Sequence, residues 1–539
     1  MPIATTYPGV YVEEVPSGVR TITGVSTSDT AFIDFFGRGP MNTAVRITSM
    51  EEFNRLFGGL HANSEASYAI SQFYLNGGSI AWVVRVASGD PVTAQYRFDA
   101  GGSPDGAGLV VDAASPGLWA KDHVQVAVDQ LVRTVGTGLF NLAVRELDEG
   151  KRRVVATEVH RNVSMNPTDS RYVKAVVAAD SALVRIGSVG AGGPPAQTAL
   201  NVTGPDVLAD AASTAFKSLG DPLVDRATKP VADGTAPDGD ALIKGLDALK
   251  VIAPNVFNIL CLPAASQLDE GAMDNVIDQA SKTCLDARAF LIVDPHKDTD
   301  KLNAPAPQKS LATWINEHGD KLRNRNAALY FPRVDIPDPL NEGRPRTVGP
   351  SGTVVGVYAR TDANRGVWKA PAGADDGKLV GVTLPLQVTD LQNGQFNPLG
   401  INLLRTFPIY GNVIWGARTL DGADRQASEW KYVPVRRTAL FIEESLSQGL
   451  KWVVFEPNDE PLWAQIRLNV GAFMHDLFRL GAFQGTTPRK AYFVKCDSET
   501  TTQTDIDHGV VNILVGFAPL KPAEFVVIQI QQMVGQLAT

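Results

Sequence analysis

From residue 240 the chain alternates helix-like and strand-like stretches, and that alternation limits its fold more than any other feature. Leu242, Leu246 and Leu249 form a helical stripe. After them "VFNILCLP" reads as a strand, "LDEGAMDNVIDQASKTCLDA" as a helix, "RAFLIVDP" as a strand, "KSLATWINEHGDKL" as a helix and "AALYFPRV" as a strand. The strands are nearly continuous apolar runs, the type covered by helices on both faces. A βαβαβ run of this kind predicts a parallel sheet with right-handed crossovers. Residues 21–90 share the texture. "DTAFIDFFG" is a strand-like run, and Ser49 with Glu52 makes a capping box that opens a helix closed by Gly58-Gly59. "SEASYAISQFYLNGG" is a second helix and "SIAWVVRV" a deeply buried strand. These residues are expected to join the same layer.

Between the two halves the texture changes. "AQYRFDA", "GLVVDAA", "HVQVAVDQ", "FNLAVREL", "RRVVATEV" and "SALVRIG" are short runs of period-2 character separated by turn residues, with no strong helix among them. This is an inserted β-domain, fading into the linker-like "GSVGAGGPPAQ" and "KPVADGTAPDGD". Residues 335–400 are proline-rich and read as loops. The last part is a further α/β unit whose helix at 461–481 carries Leu462, Ile466, Val470, Phe473, Leu477 and Leu480 on one face. The fold class expected is α/β in a multidomain α+β arrangement: parallel-sheet core domains, an inserted antiparallel β-domain and extended terminal strand arms. The expected units are an arm at 1–20, a middle domain of 21–90 with 239–345, and the insertion at 91–238. A loop-rich connector at 346–400, a C-terminal α/β domain at 401–521 and a strand arm at 522–539 complete the division.

The two ends pose a common problem. "TYPGVYVEEV" (residues 5–14) has the β-branched and aromatic residues of a strand, with Val10, Tyr11, Val12 and Glu13 at its centre, yet Pro16-Ser17-Gly18 breaks the chain before any hairpin partner. "PAEFVVIQIQQ" closes the chain with Phe525, Val526, Val527 and Ile528 apolar on both faces. A lone strand is not stable in water, so each needs a sheet to join.

Composition narrows the function. A chain of 539 residues suggests roughly three or four domains. A net charge of −9 argues against a nucleic-acid partner. No run of about 18 apolar residues is present, and no basic stretch followed by an apolar one opens the chain, so neither a membrane span nor a Sec-type leader is expected. Cys261, Cys284 and Cys496 lack metal or redox spacing and read as buried free thiols. No phosphate-cradling G-x-x-x-x-G-K-[ST] loop, G-x-S-x-G elbow or H-E-x-x-H pair occurs. The best catalytic-looking cluster is "DPHKDTD", with Asp294 and His296 after an apolar strand, where parallel sheets place active sites. The plainer reading, a solvated polar turn, is preferred there, as it is for "DIDHG" at 505–509. His475, near Asp476 and Arg479, reads as a surface or interface residue rather than a base. Trp415, Trp430, Trp452 and Trp463 read first as core and second as interface anchors. Arg436 and Arg437, followed two turns later by Glu443 and Glu444, form either a solvated helix face or a charge-complementary docking surface; pattern alone favours the former.

Several stretches resemble contractile tail sheath proteins, the family shared by contractile-tailed phages, pyocin-like particles and extracellular contractile injection systems. They are "YPGVYVEEVPSG" (Tyr7–Gly18), "GPSGTVVGVYARTDANRGVWKAPAG" (Gly349–Gly373), "IWGARTL" (Ile414–Leu420), "VRRTALFIEESL" (Val435–Leu446), "WVVFEPND" (Trp452–Asp459) and "PAEFVV" (Pro522–Val527), in the family's order. Ile409-Tyr410 and Pro434 differ from its usual pattern. The resemblance implies a structural, non-enzymatic subunit with no cofactor and no metal. It implies hexameric rings stacked around an inner tube, with the chain itself, the tube protein, and baseplate and cap proteins as partners, and no nucleic acid or membrane insertion. The terminal arms would donate strands to neighbours, hinged at Pro16, Gly18 and Pro522. Arg436, Arg437, Glu443 and Glu444 become candidates for docking to tube or sheath. Assembly would occur in a bacterial cytoplasm. The competing class is a soluble α/β enzyme working near Asp294 and His296.

Overall fold

A computed structural model describes residues 20–99, 108–132, 138–190, 193–198, 208–220, 230–252, 257–299 and 310–529. The expected arm strand at Val10–Glu13 and the expected hinge at Pro16 and Gly18 lie outside these.

The chain enters through β1 (Thr30–Asp34), β2 (Ala44–Ile47), α1 (Met50–Phe57), α2 (Glu65–Leu75) and β3 (Ala81–Arg85). The Ser49 hydroxyl accepts from the Glu52 N–H to start α1, and Glu52 reaches back to the Thr48 N–H at 2.9 Å. Gly58 ends the helix at φ +87°, a left-handed conformation that favours glycine. The insertion follows as β4 (Gln95–Phe98), β5 (Leu109–Ala113), β6 (Val124–Asp129), β7 (Leu139–Leu147), β8 (Val154–Ser164), α3 (Val173–Asp180), β9 (Val184–Val189) and β10 (Lys217–Ser218). Its two antiparallel sheets, β4-β5-β9 and β10-β6-β7-β8, close over a core of their own. The sequence reading had no helix here; Val173 and Val177, one turn apart, bury α3 into that core. The insertion is fastened to the body: buried Arg85 donates to the carbonyls of Gly39 and Pro116, and Arg38 pairs with Glu146 at 2.8 Å.

The alternating region gives α4 (Gly239–Leu249), β11 (Ile259–Cys261), α5 (Glu270–Asp286), β12 (Phe290–Val293), α6 (Leu311–Leu322) and β13 (Ala327–Phe331). A hairpin of β14 (Val334–Asp338) and β15 (Arg344–Val348) leads to α7 (Ser351–Arg365) and α8 (Asp390–Phe396), then to β16 (Ile401–Phe407) and β17 (Gly411–Trp415). One eight-stranded sheet runs β17-β16-β13-β12-β11-β1-β3-β2. It is parallel from β16 to β3, and its two edge strands are antiparallel. Alternate residues face opposite layers: Leu291 and Val293 pack with α4, α5 and α6, whereas Phe290 and Ile292 pack with α1, α2 and α7.

Two expectations fail in this region, the first in part. The segment 346–400 is irregular over 366–389 as expected, but its first part is the helix α7, mostly buried, where loop was expected. Gly352 and Gly356 disguise the helix, and both are needed: a Cβ at Gly352 would lie 2.2 Å from the Ala69 carbonyl oxygen of α2, so only glycine lets these helices approach. The boundary at 401 also fails, since β16 and β17 complete the central sheet rather than founding a separate unit.

The remaining elements are α9 (Val433–Gly449), α10 (Glu460–Arg479), α11 (Pro488–Ala491), β18 (Tyr492–Lys495), α12 (Gln503–Asp507) and β19 (Leu514–Phe517). Pro434 sits in the first turn of α9, where its missing N–H costs no intrahelical bond. Helix α10 buries Leu462, Trp463, Ile466, Val470, Phe473 and Leu477 in a further core that includes Ile22 and Ile442. Strands β18 and β19 pair only with each other among the described residues. All three cysteines are buried and free. Among the described residues no helix is long and apolar enough to cross a membrane.

Candidate functional site: the tail groove and the two chain exits

Three stretches quoted above as separate motifs meet at one place. Trp368 and Ala370, then Trp415 and Ala417, then Pro522 and Phe525 line a groove of about 730 Å³. The tail reaches it from β19. Gln484 donates to the Ala518 carbonyl at 2.9 Å, Phe483 bridges to Pro519, and residues 520–525 then border the groove.

The tail is fixed there by charge. Arg418, fully buried, donates from Nε to Glu524 Oε1 at 2.7 Å and from its NH2 nitrogen to Glu524 Oε2 at 2.6 Å. Its NH1 nitrogen serves the Asn397 carbonyl at 2.8 Å and Asp424 at 3.0 Å, and the Tyr432 hydroxyl donates to Glu524 at 3.2 Å. Burial alone would lower the guanidinium pKa, but Glu524 and Asp424 hold it above its ordinary value. Beyond Glu524, Phe525, Val526, Val527 and Ile528 are 75, 81, 80 and 79% exposed and belong to no ladder among the described residues. The expected hinge residue Pro522 lies between two anchored points, the Phe483 bridge at Pro519 and the Arg418 pair at Glu524.

The other exit is clamped as well. The Arg20 N–H donates to Asn469 at 3.0 Å and its guanidinium lies over Trp452, Ile22 is buried, and the Val25 N–H donates to Ser445 at 3.1 Å. Gly24 abuts Phe441 so closely that a Cβ would sit 2.8 Å from the ring. Residues 20–27 therefore belong to the body.

Arg436 and Arg437 correct the docking expectation. Arg437 is buried and grips Asp362 with both terminal nitrogens at 3.0 and 2.6 Å while donating to the Thr27 carbonyl. Arg436 is buried against Trp430 and donates to Asn326 and Glu443. Neither reaches a surface where a partner could meet it. Glu444 pairs with Arg288 at 3.0 Å, and only Glu443 leaves much of its carboxylate in solvent. Of the tryptophans, Trp463 is core, with its indole N–H on Asn458, while Trp415 lines the groove. His475 is exposed.

The catalytic-looking residues are occupied in holding the fold. Asp294, just past β12, accepts the Ser351 N–H at 2.8 Å and the Ser351 hydroxyl at 2.6 Å, capping the first turn of α7. Burial pushes its carboxyl up to about 6, against the pull of those hydrogen bonds. Asp34 stands in the same relation to α2, accepting the Ala66 N–H at 2.7 Å, and burial raises it to about 7. His296 is buried with Nε2 on the Leu268 carbonyl. Of the turn expected to be solvated at 294–300, Asp294, Pro295, His296 and Thr299 are buried, whereas Lys297 and Asp298 are exposed and Asp300 lies outside the described residues. The residues missed by sequence reading are Arg418 and Glu524, each a charged residue inside an otherwise apolar quoted motif.

Residues 425–533 match the phage tail sheath C-terminal domain model. A tail sheath protein of Vibrio phage KVP40 is 27% identical over 184 residues, 34% of this chain and 26% of the relative. A putative prophage major tail sheath protein of Pseudomonas aeruginosa is 24% identical over 263 residues, 48% of this chain and 60% of the relative. The matches thus span about a quarter and three fifths of those curated relatives. Among solved structures, the sheath complex of PVC, an extracellular contractile injection system, in its contracted state shares the fold at a TM-score of 0.56 and 20% identity, covering 99% of both chains. In its C-terminal domain, its relatives and its overall fold, this chain is similar to the tail sheath proteins of contractile particles.

Proposed function

We propose that the chain is the structural subunit of a contractile sheath, in which copies stack as hexameric rings around an inner tube and rearrange as rigid bodies to drive that tube through a target envelope. The observation that carries this reading is the tail. Among the described residues, four consecutive apolar ones, Phe525–Ile528, stand exposed with no ladder partner, and the C-terminal sheet has two strands. Two strands alone are marginal in water, and a strand supplied by another copy completes the sheet while covering the tail. Such a contact is heterologous; repeated without closing on itself, it generates a helical tube. Residues 5–15 of the other arm have the same demand.

Contraction on this reading needs no nucleotide. The extended sheath is kinetically trapped, and a gain of a few kcal/mol per subunit sums along the tube. The C-terminal unit faces the inner tube, and baseplate and cap proteins bound the ends. The particle is assembled in the bacterial cytoplasm as a phage tail or a tail-like device. Asp294 and His296, engaged in capping α7 and in a backbone hydrogen bond, support a structural rather than an enzymatic role.

Negative-stain microscopy of the purified chain tests this. Long, hollow, ridged tubes are expected, and deletion of residues 1–18 should leave a folded subunit that makes none. Compact particles from the full chain would remove the sheath reading, and ordered tubes from the truncated chain would remove the arms from it.

A further inference from the structure

We infer that the Arg418–Glu524 pair is the anchor through which the C-terminal arm is coupled to the central sheet, so that among the described residues the arm is unattached only from Phe525. As a statement about the arm this rests on the sheath reading; as a statement about the tail's attachment it stands alone.

The geometry is that of a built attachment. Glu524 takes two adjacent donors of one guanidinium side-on, at 2.7 and 2.6 Å, the arrangement that adds direction as well as strength to an ion pair. Arg418 is itself immobilised. Its side chain is fully buried and its other terminal nitrogen is committed to Asn397 and Asp424. Its backbone is sewn to β16: the Arg418 N–H donates to Asn402 Oδ1 at 2.7 Å, and Asn402 Nδ2 donates to the Arg418 carbonyl at 2.8 Å. Asn402 in turn donates to the Leu329 carbonyl on β13, at 3.2 Å.

A pull on residues 525–528 therefore runs through Glu524 and Arg418 into two adjacent strands of the eight-stranded sheet. Without the pair, the same pull would fall on the Phe483–Pro519 bridge and peel the tail back toward β19. Tyr432 adds a third donor to Glu524 and Lys431 a second cation to Asp424, so the loop before α9 is part of the mount. Glu524 is a positioning residue for the arm.

Hydrogen exchange on the purified full-length chain reads this directly. Arg418 is buried and its removal endangers the fold, so the variants are made on the tail: E524A and E524D. The expected result for E524A is exchange at Gln484 and Ala518, whose N–H groups are hydrogen-bonded at the root of the tail, faster by about tenfold, a loss near 1.4 kcal/mol of local protection. The urea midpoint of the body should fall less than in the R437M variant, because Arg418 keeps Asp424 and the Asn397 carbonyl, and E524D should recover part of the protection. In assembled material, E524A tubes should break during contraction where wild-type tubes shorten intact. Unchanged exchange in E524A would overturn the anchor. Faster exchange with tubes that still contract whole would overturn the coupling. If the wild-type chain makes no tubes at all, the sheath reading falls, while the exchange data still decide whether Glu524 holds the tail.

Discussion

Two apolar tetrapeptides, Phe290–Val293 in β12 and Phe525–Ile528 in the tail, have the same kind of sequence and opposite surroundings. The first is at most 3% exposed at every residue, with parallel strands on both sides and helices on both faces. The second is 75–81% exposed with no strand beside it among the described residues. The pattern in each case states a demand for cover on two faces; it does not say which molecule supplies it. In β12 the supply comes from the same chain. In the tail the chain has only fixed the point of departure, at Glu524, and left the demand open.

The largest effect should come from the body's interior, where the ion pair of Arg437 and Asp362 has no solvent to fall back on. Replacing Arg437 by Met strands a buried carboxylate and should destabilise the isolated chain by about 3–5 kcal/mol in urea denaturation. A loss near zero would mean that the body tolerates an unpaired buried carboxylate. Next, Leu291→Ala in β12 should cost about 2–5 kcal/mol, whereas Val527→Ala should change the isolated chain by less than about 0.5 kcal/mol. Equal costs would show that the tail is covered within its own chain.

A smaller effect concerns pH. Asp294 is raised from 3.8 to about 6, so its neutral form suits the fold better than its charged form. The stability it contributes is full below about pH 4 and is lost as pH rises through about 6. D294N keeps the site neutral, so its urea midpoint should lack that fall, which amounts to at most about 3 kcal/mol. A D294N curve parallel to wild type from pH 4 to 7 would show that the capped carboxylate is charged throughout.

How much of this was legible follows from where the partners lie. The strands of the central sheet announce themselves because each is apolar on both faces, and the helix starts at Ser49 and Ser64 carry their own caps. Helix α7 was hidden because close packing on α2 requires the glycines at 352 and 356 that otherwise mark loops. The run at 401–415 was misassigned because an apolar strand looks alike in any sheet. Arg437 was misread as a surface charge because its partner Asp362 lies 75 residues earlier, and Arg418 was passed over because Glu524 lies 106 residues later. Spacing along one helix could show Arg436 near Glu443; it could not show either of these.

The central claim is that Phe525–Ile528 becomes a strand between subunits. Hydrogen exchange at these four residues, compared between the dispersed chain and purified tubes, tests it most directly. Fast exchange in the dispersed chain and strong protection in tubes is the predicted result. Ordered tubes in which the four amides still exchange as fast as in the dispersed chain would contradict it.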